Sequence, residues 1–120
     1  MKIAYIGTYP PRQCGIGTFT ENLCKSIALN VGLDTKAHAS VIAINDSNSL
    51  LEYDYPPEVK FIVRQNYREE YINAAEQINL SNSQACILNH EFGIFGGESG
   101  LYILSLTDRL NIPLIVVFHT

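Results

Sequence analysis

Apolar and amphipathic runs alternate along these 120 residues. The alternation predicts an α/β fold, a doubly wound parallel sheet with strand order 3-2-1-4-5. Three observations carry that reading. The runs follow the order β-α-β-β-α-β-α-β, with connections long enough for crossovers, and right-handed crossovers then give a Rossmann-like sheet. The first, fourth and fifth strand candidates are continuously apolar, as central parallel strands are. Apolar residues make up 47% of the chain and charged residues 17%, which suits a sheet covered on both faces.

The first strand is expected at Lys2–Ile6, inside "KIAYIG". A long loop follows, and Thr18 with Glu21 fits a capping box, so a helix is expected to begin at about Thr18. Phe19, Leu23 and Ile27 lie on one face of that helix. The second and third strands are expected at Ala39–Ile44 and Val59–Val63. Between them "NDSNSLLEYDYPPE" is a polar, proline-ended excursion, expected to be the most mobile piece. The next helix, from about Tyr67 to Leu80, places Tyr71, Ala74, Ala75 and Ile78 at i, i+3, i+4 and i+7. Ala85–Asn89 reads as the fourth strand. A helix over roughly Ser99–Leu110 is apolar almost all round and is stopped by "NIP", and Leu114–Phe118 is the fifth strand.

Length and charge narrow the classes. One domain with a real core is the natural count for 120 residues. The net charge is −4, and the four Lys and four Arg are scattered, which argues against a nucleic-acid module with its basic face. No apolar run approaches membrane-spanning length and the N-terminus lacks a signal-peptide pattern, so a cytoplasmic setting is expected. Cys14, Cys24 and Cys86 follow no zinc or redox spacing, and the expectation is reduced thiols that pack.

In such sheets ligands sit beyond the carboxyl ends of the strands, and three unusual segments fall there. The first is "PPRQCGIGTFTENL". The amides around Gly15, Ile16 and Gly17 would point out of a helix N-terminus, where the dipole favours an anion. Arg12 can add a cation. The same letters also fit a long turn that needs glycine and binds nothing. A dinucleotide site is the weaker reading, because Thr20 stands where a glycine is preferred and the loop is long. Asp46 could mimic the ribose-binding acid of such a site, although "NDSNS" reads equally well as a turn.

The second segment is "NHEFGIFGGESG". His90 and Glu91 follow a buried strand, and Phe92, Ile94 and Phe95 would present apolar surface between glycines, as a loop over a sugar does. A structural hydrogen-bonding role for His90 remains the alternative. No second His stands at the spacing of a helical zinc motif, so no metal is expected. The third segment is "LIVVFHT", where His119 leaves the last strand on the same rim.

Together these segments resemble the N-terminal domain of a retaining glycosyltransferase of the GT-B fold, in the large family 4 group. "MKIAYIGTYPPRQCGIGTFTENL" resembles that family's first strand and glycine loop. "HEFGIFGG", the most specific part, resembles a segment of a subgroup often described as mannosyltransferases, and "NIPLIVVFHT" the strand ending in His-Thr. The resemblance implies that Gly15 approaches the donor's diphosphate and that His119 sits beside the transferred sugar as the catalytic group. His90, Glu91 and Phe92 would line the acceptor side. It implies no cofactor, a nucleotide-sugar donor, a glycan or lipid-linked acceptor, and membrane association as an option for the full-length enzyme.

Two departures accompany it. Cys14 replaces the first glycine of a common Gly-Gly pair, and no binding role is expected of it. The family's second domain carries two glutamates eight positions apart, and no such pair occurs here. Residues 1–120 are therefore expected to be the truncated, acceptor-side half of a longer enzyme, inactive alone. The outermost strand, "LIVVF", is expected to pair with a second copy, because neither charge nor proline interrupts its edge. A non-catalytic α/β binding module is the other class left open.

Overall fold

The computed structural model describes residues 1–119. Five strands form one parallel sheet in the order β3-β2-β1-β4-β5. They are β1 (Ile3–Gly7), β2 (Ala39–Asn45), β3 (Val59–Arg64), β4 (Ala85–His90) and β5 (Leu114–Phe118). Each of the first four runs one residue further at its carboxyl end than the apolar letters suggest. Gly7, Asn45, Arg64 and His90 still pair through their backbones with Ala43, Arg64, Asn45 and Phe118. A ladder hydrogen bond does not depend on side-chain polarity, so the sheet carries polar side chains right at its rim.

Helices α1 (Gly15–Asn30) and α2 (Thr35–His38) cover one face, and α3 (Arg68–Leu80) and α4 (Tyr102–Thr107) the other. Between β4 and α4 lie two 3-10 turns, Phe92–Ile94 and Glu98–Gly100. Tyr71, Ala74, Ala75 and Ile78 of α3 pack on Ile6, Ile42, Ile44 and Leu88. On the opposite face Cys24 of α1 packs with Tyr5, Val41 and Ala43. Burying a large side chain of this kind contributes about 1.5–3 kcal/mol, so the two clusters dominate the stability.

Three expectations need correction. The first helix begins at Gly15, three residues before Thr18, with Cys14 in extended conformation as its N-cap. Thr18 is already inside it, its amide bonded to the Cys14 carbonyl, and Glu21 pairs with Lys25 instead of closing a capping box. Tertiary contact outweighs local propensity here, since half-buried Ile16 packs into the core beneath the first turn. The helix ends in a Schellman motif: Gly32 takes φ +72°, Leu33 donates to Ala28 and Gly32 to Leu29.

The last helix is much shorter than Ser99–Leu110. Ser99 sits at φ 52°, so the chain is turned by the 3-10 segment and only Tyr102–Thr107 is α-helical. β5 is outermost, as the order 3-2-1-4-5 requires, so its continuous apolar run is no mark of a central strand: Ile115 is 53% and Phe118 70% exposed. β2, between β1 and β3, is fully buried. The excursion at 45–58 is pinned at both ends. Tyr55 donates to Asn45, Tyr53 to Asp46, and Tyr9 to buried Glu58 at 2.7 Å.

Candidate functional site

The end of β1 and the start of α1 are fitted to each other at very short range. A Cβ on Gly7 would meet Thr20 Oγ1 at 2.9 Å. A dinucleotide fingerprint obtains close helix–strand packing from a glycine on the helix; here the glycine is on the strand and the helix keeps Thr20. Gly17 is fitted too, since its Cβ would lie 3.3 Å from the Tyr9 amide and 3.4 Å from Thr8. Gly15 is different: a Cβ there meets nothing within 4 Å.

The first intrahelical bond of α1 is donated by Thr18. The amides of Gly15, Ile16 and Gly17 therefore have no intrahelical acceptor and project from the positive end of a 16-residue helix. Thr8, fully buried at the end of β1, adds a hydroxyl with no hydrogen-bond partner. It lies 3.4 Å from where the Cβ of Gly17 would be, against this same first turn. A buried hydroxyl without a partner, beside three amides with no intrahelical acceptor, is a donor set suited to an anion.

Arg12 does not extend that set as expected. Its Nη1 donates to the Ile44 carbonyl at 2.8 Å and its Nε lies 3.8 Å from Asp46. The side chain is 11% exposed, so its main work is to tie the loop to the end of β2. Asp46 is engaged by Arg12 and by the Tyr53 hydroxyl at 2.9 Å, which leaves it poorly placed to receive a ribose.

Cys14 is half-buried, while Cys24 and Cys86 are buried. Burial pushes the Cys86 thiol up to about 12 and raises Cys24 further. Burial acts against ionisation of Cys14 as well. The Thr8 hydroxyl, the Gly17 and Ile16 amides and the charge of Arg12 outweigh it and hold this thiol below its ordinary value.

A chain of side-chain contacts joins α1 to the ends of β4 and β5. His119 Nε2 lies 3.3 Å from Asn89 Oδ1, Asn89 Nδ2 donates to Thr20 Oγ1 at 3.0 Å, and Thr20 donates to the Ile16 carbonyl at 2.8 Å. The His119 amide donates to the His90 carbonyl, and its ring meets Phe19 edge-on at 4.7 Å. Asn89 Oδ1 can only accept, so Nε2 is the nitrogen that donates in this contact. Neither Asn89 nor Thr8 was singled out as a site residue by sequence reasoning. The signal for Asn89 was there, as an amide inside the buried strand "ACILNH".

His90 stands among three phenyl rings, Phe92, Phe95 and Phe118, at 4.8–5.4 Å between centroids. Glu91 turns inward on its own loop, accepting from the Gly93 amide at 2.9 Å. Ile94 and Phe95 do not present apolar surface as expected; both are 3% exposed and belong to the core. Phe92, at 66%, is the exposed ring of this loop. Its glycines serve packing. A Cβ on Gly96 would fall 2.0 Å from the Gln65 carbonyl oxygen, and Gly97 takes φ +81°.

The rim thus gathers Gly15, Ile16, Gly17, His119 and Asn89, with His90 and Phe92 beside them and Arg12 and Glu91 committed to local structure. Among the described residues no group of three or more His, Cys, Asp or Glu could hold a metal ion. No described helix is long and apolar enough to cross a membrane. An open groove of about 320 Å³, lined by Leu50, Phe61, Ile62 and Glu70, lies along β3, at the opposite edge of the sheet from His119. Comparison with protein-family models, with curated proteins and with solved structures gives no match.

Proposed function

We propose that this chain is the acceptor-side, Rossmann-like domain of a retaining glycosyltransferase, with the diphosphate of a nucleotide-sugar held at the first turn of α1. One observation carries the reading: the segments around Gly15, His90 and His119 are linked by the His119–Asn89–Thr20–Ile16 chain of contacts. Segments unremarkable alone converge on the rim where a ligand of such a sheet binds.

The chemistry follows from the donors. As the bond from the anomeric carbon to phosphate breaks, negative charge grows on the leaving oxygens. The Gly15–Gly17 amides and the Thr8 hydroxyl meet it without rearranging. His119, steadied by Asn89 and Phe19, would stand by the transferred sugar, and exposed Phe92 beside His90 offers a face for an acceptor. Mannosyl transfer, and a glycan or lipid-linked acceptor, are the finer parts of the proposal and come from the resemblance alone.

A dinucleotide-dependent oxidoreductase is the competing class, and the engagement of Asp46 by Arg12 and Tyr53 counts against it. Calorimetric titration of the chain separates the two. Nucleoside diphosphates and nucleotide-sugars are expected to bind and to be displaced by pyrophosphate, while NAD and NADP do not bind. Binding of NAD alone would overturn the proposal.

A further inference from the structure

Cys14 is unlike the other two thiols of the chain in place and surroundings. It caps the positive end of α1, it is half-buried where Cys24 and Cys86 are buried, and its neighbours are donors. No capping hydrogen bond is closed by its thiol. Beside it the fully buried Thr8 hydroxyl also lacks a partner. A hydroxyl buried unpaired is destabilising, so an acceptor arriving at this spot is favoured. An ionised sulfur is one such acceptor, and the phosphate oxygen invoked above is another. Both would draw on Thr8 and on the amides of Ile16 and Gly17.

We propose that Cys14 is a thiol-exchange site that takes up half of a small anionic disulfide, and that the mixed disulfide closes the first turn of α1 to phosphate. The second part rests on the reading of α1 as an anion site; the first part does not. In the exchange the Cys14 thiolate attacks one sulfur of the disulfide and a new S–S bond forms. The old S–S bond breaks, and the departing thiolate takes a proton from water. Cys14 is oxidised and the released half is reduced, so no further oxidant is required.

The groups that bear on the sulfur come from three segments. Thr8 lies at the end of β1, the Ile16 and Gly17 amides in α1, and the guanidinium of Arg12 in the connecting loop. All of them favour the thiolate, and the helix end attracts an anionic partner. Cys24 and Cys86 have no comparable setting: burial raises both. They serve as internal controls in the same molecule.

The test is glutathione disulfide at neutral pH on the full chain, read by intact mass and peptide mapping. Cystamine is the cationic comparison, and the chain unfolded in urea is the reference for both. One adduct is expected, at Cys14, forming at least about tenfold faster than at Cys24 or Cys86. The folded-to-unfolded rate ratio at Cys14 should be larger for glutathione disulfide than for cystamine. Thr8→Val should slow the exchange severalfold and Thr8→Ser restore it; if the Val variant does not fold, the wild-type rates still decide. A Cys14 rate no higher than in urea, or equal labelling of Cys24, overturns the proposal. Pyrophosphate should slow the adduct, and the purified adduct should no longer bind pyrophosphate. Selective labelling with no pyrophosphate effect would keep the thiol site and count against the anion reading of α1.

Discussion

Two glycine-bearing segments of this molecule look alike in sequence and differ in physical purpose. At Gly96, in the loop after β4, an added Cβ would fall 2.0 Å from the Gln65 carbonyl oxygen, and the Gly96 amide is held by the Tyr71 hydroxyl. At Gly15, heading α1, an added Cβ meets nothing. The fold requires the first glycine and is indifferent to the second. A glycine that packing does not demand leaves backbone open to an outside ligand, and Gly15 stands where three amides are unpaired. The loop after β4 is therefore largely scaffold, and the first turn of α1 is the better candidate for binding.

Gly96→Ala should have the largest effect. Backbone would have to move, because the clashing atom is a carbonyl and not the end of a flexible side chain. A loss of about 3 kcal/mol is expected in urea denaturation. A loss below about 0.5 kcal/mol would erase the contrast between the two segments.

Asn89→Leu should come next, at about 1–3 kcal/mol, since it leaves His119 Nε2 and the Thr20 hydroxyl each without one partner. Thermal unfolding checks the stability. The chemical shifts of the His119 ring should move as well, because the ring loses the group that orients it. An unmoved ring would mean that the rim does not depend on this chain of contacts.

A third test uses pH to probe the scaffold side. Burial, the largest cause, pushes Tyr71 up to about 12. Its hydroxyl donates to the Gln65 carbonyl and accepts from Gly96. The folded value lies above the ordinary tyrosine value of 10.0, so the contribution is complete below pH 10. It is lost as pH rises from 10 through about 12. Tyr71→Phe should flatten that alkaline limb of stability. An identical limb in the variant would remove Tyr71 as the pin of the Gly96 loop.

Gly15→Val should be the mildest for the fold, within about 0.5 kcal/mol of the parent. Pyrophosphate affinity should nonetheless drop about tenfold, a change of about 1.4 kcal/mol. Equal affinity would return Gly15 to an ordinary helix start.

The sheet was legible in the sequence because parallel strands leave a strong trace. β1, β2 and β4 are apolar runs, and the crossover rule orders them. Helix starts were harder. Thr18 and Glu21 spell a capping box, yet the helix begins where Ile16 finds a core beneath it, and local letters do not report that contact. β5 is placed at the edge by the strand order and not by its letters, because a run such as "LIVVF" is the same in an edge strand and in a central one. At the site, Gly15–Gly17, His90 and His119 could be placed on the rim from topology alone. That Arg12 would be spent on Ile44 and Asp46, and that Ile94 and Phe95 would turn inward, depends on contacts across 32 residues or more and on the fold around the Gly96 loop. Asn89 and Thr8 escaped notice because buried polar side chains gain meaning only from their partners, or from the lack of one.

The ligand is expected to meet the first turn of α1 and not the loop after β4. Amide NMR of the isotopically labelled chain, titrated with a nucleoside diphosphate, tests it directly. Saturable shifts are expected at Gly15, Ile16 and Gly17, with a smaller response at His119 and none at Gly96 or Gly97. Shifts centred on Gly96 and Gly97, with Gly15 to Gly17 unmoved at saturating ligand, would contradict it.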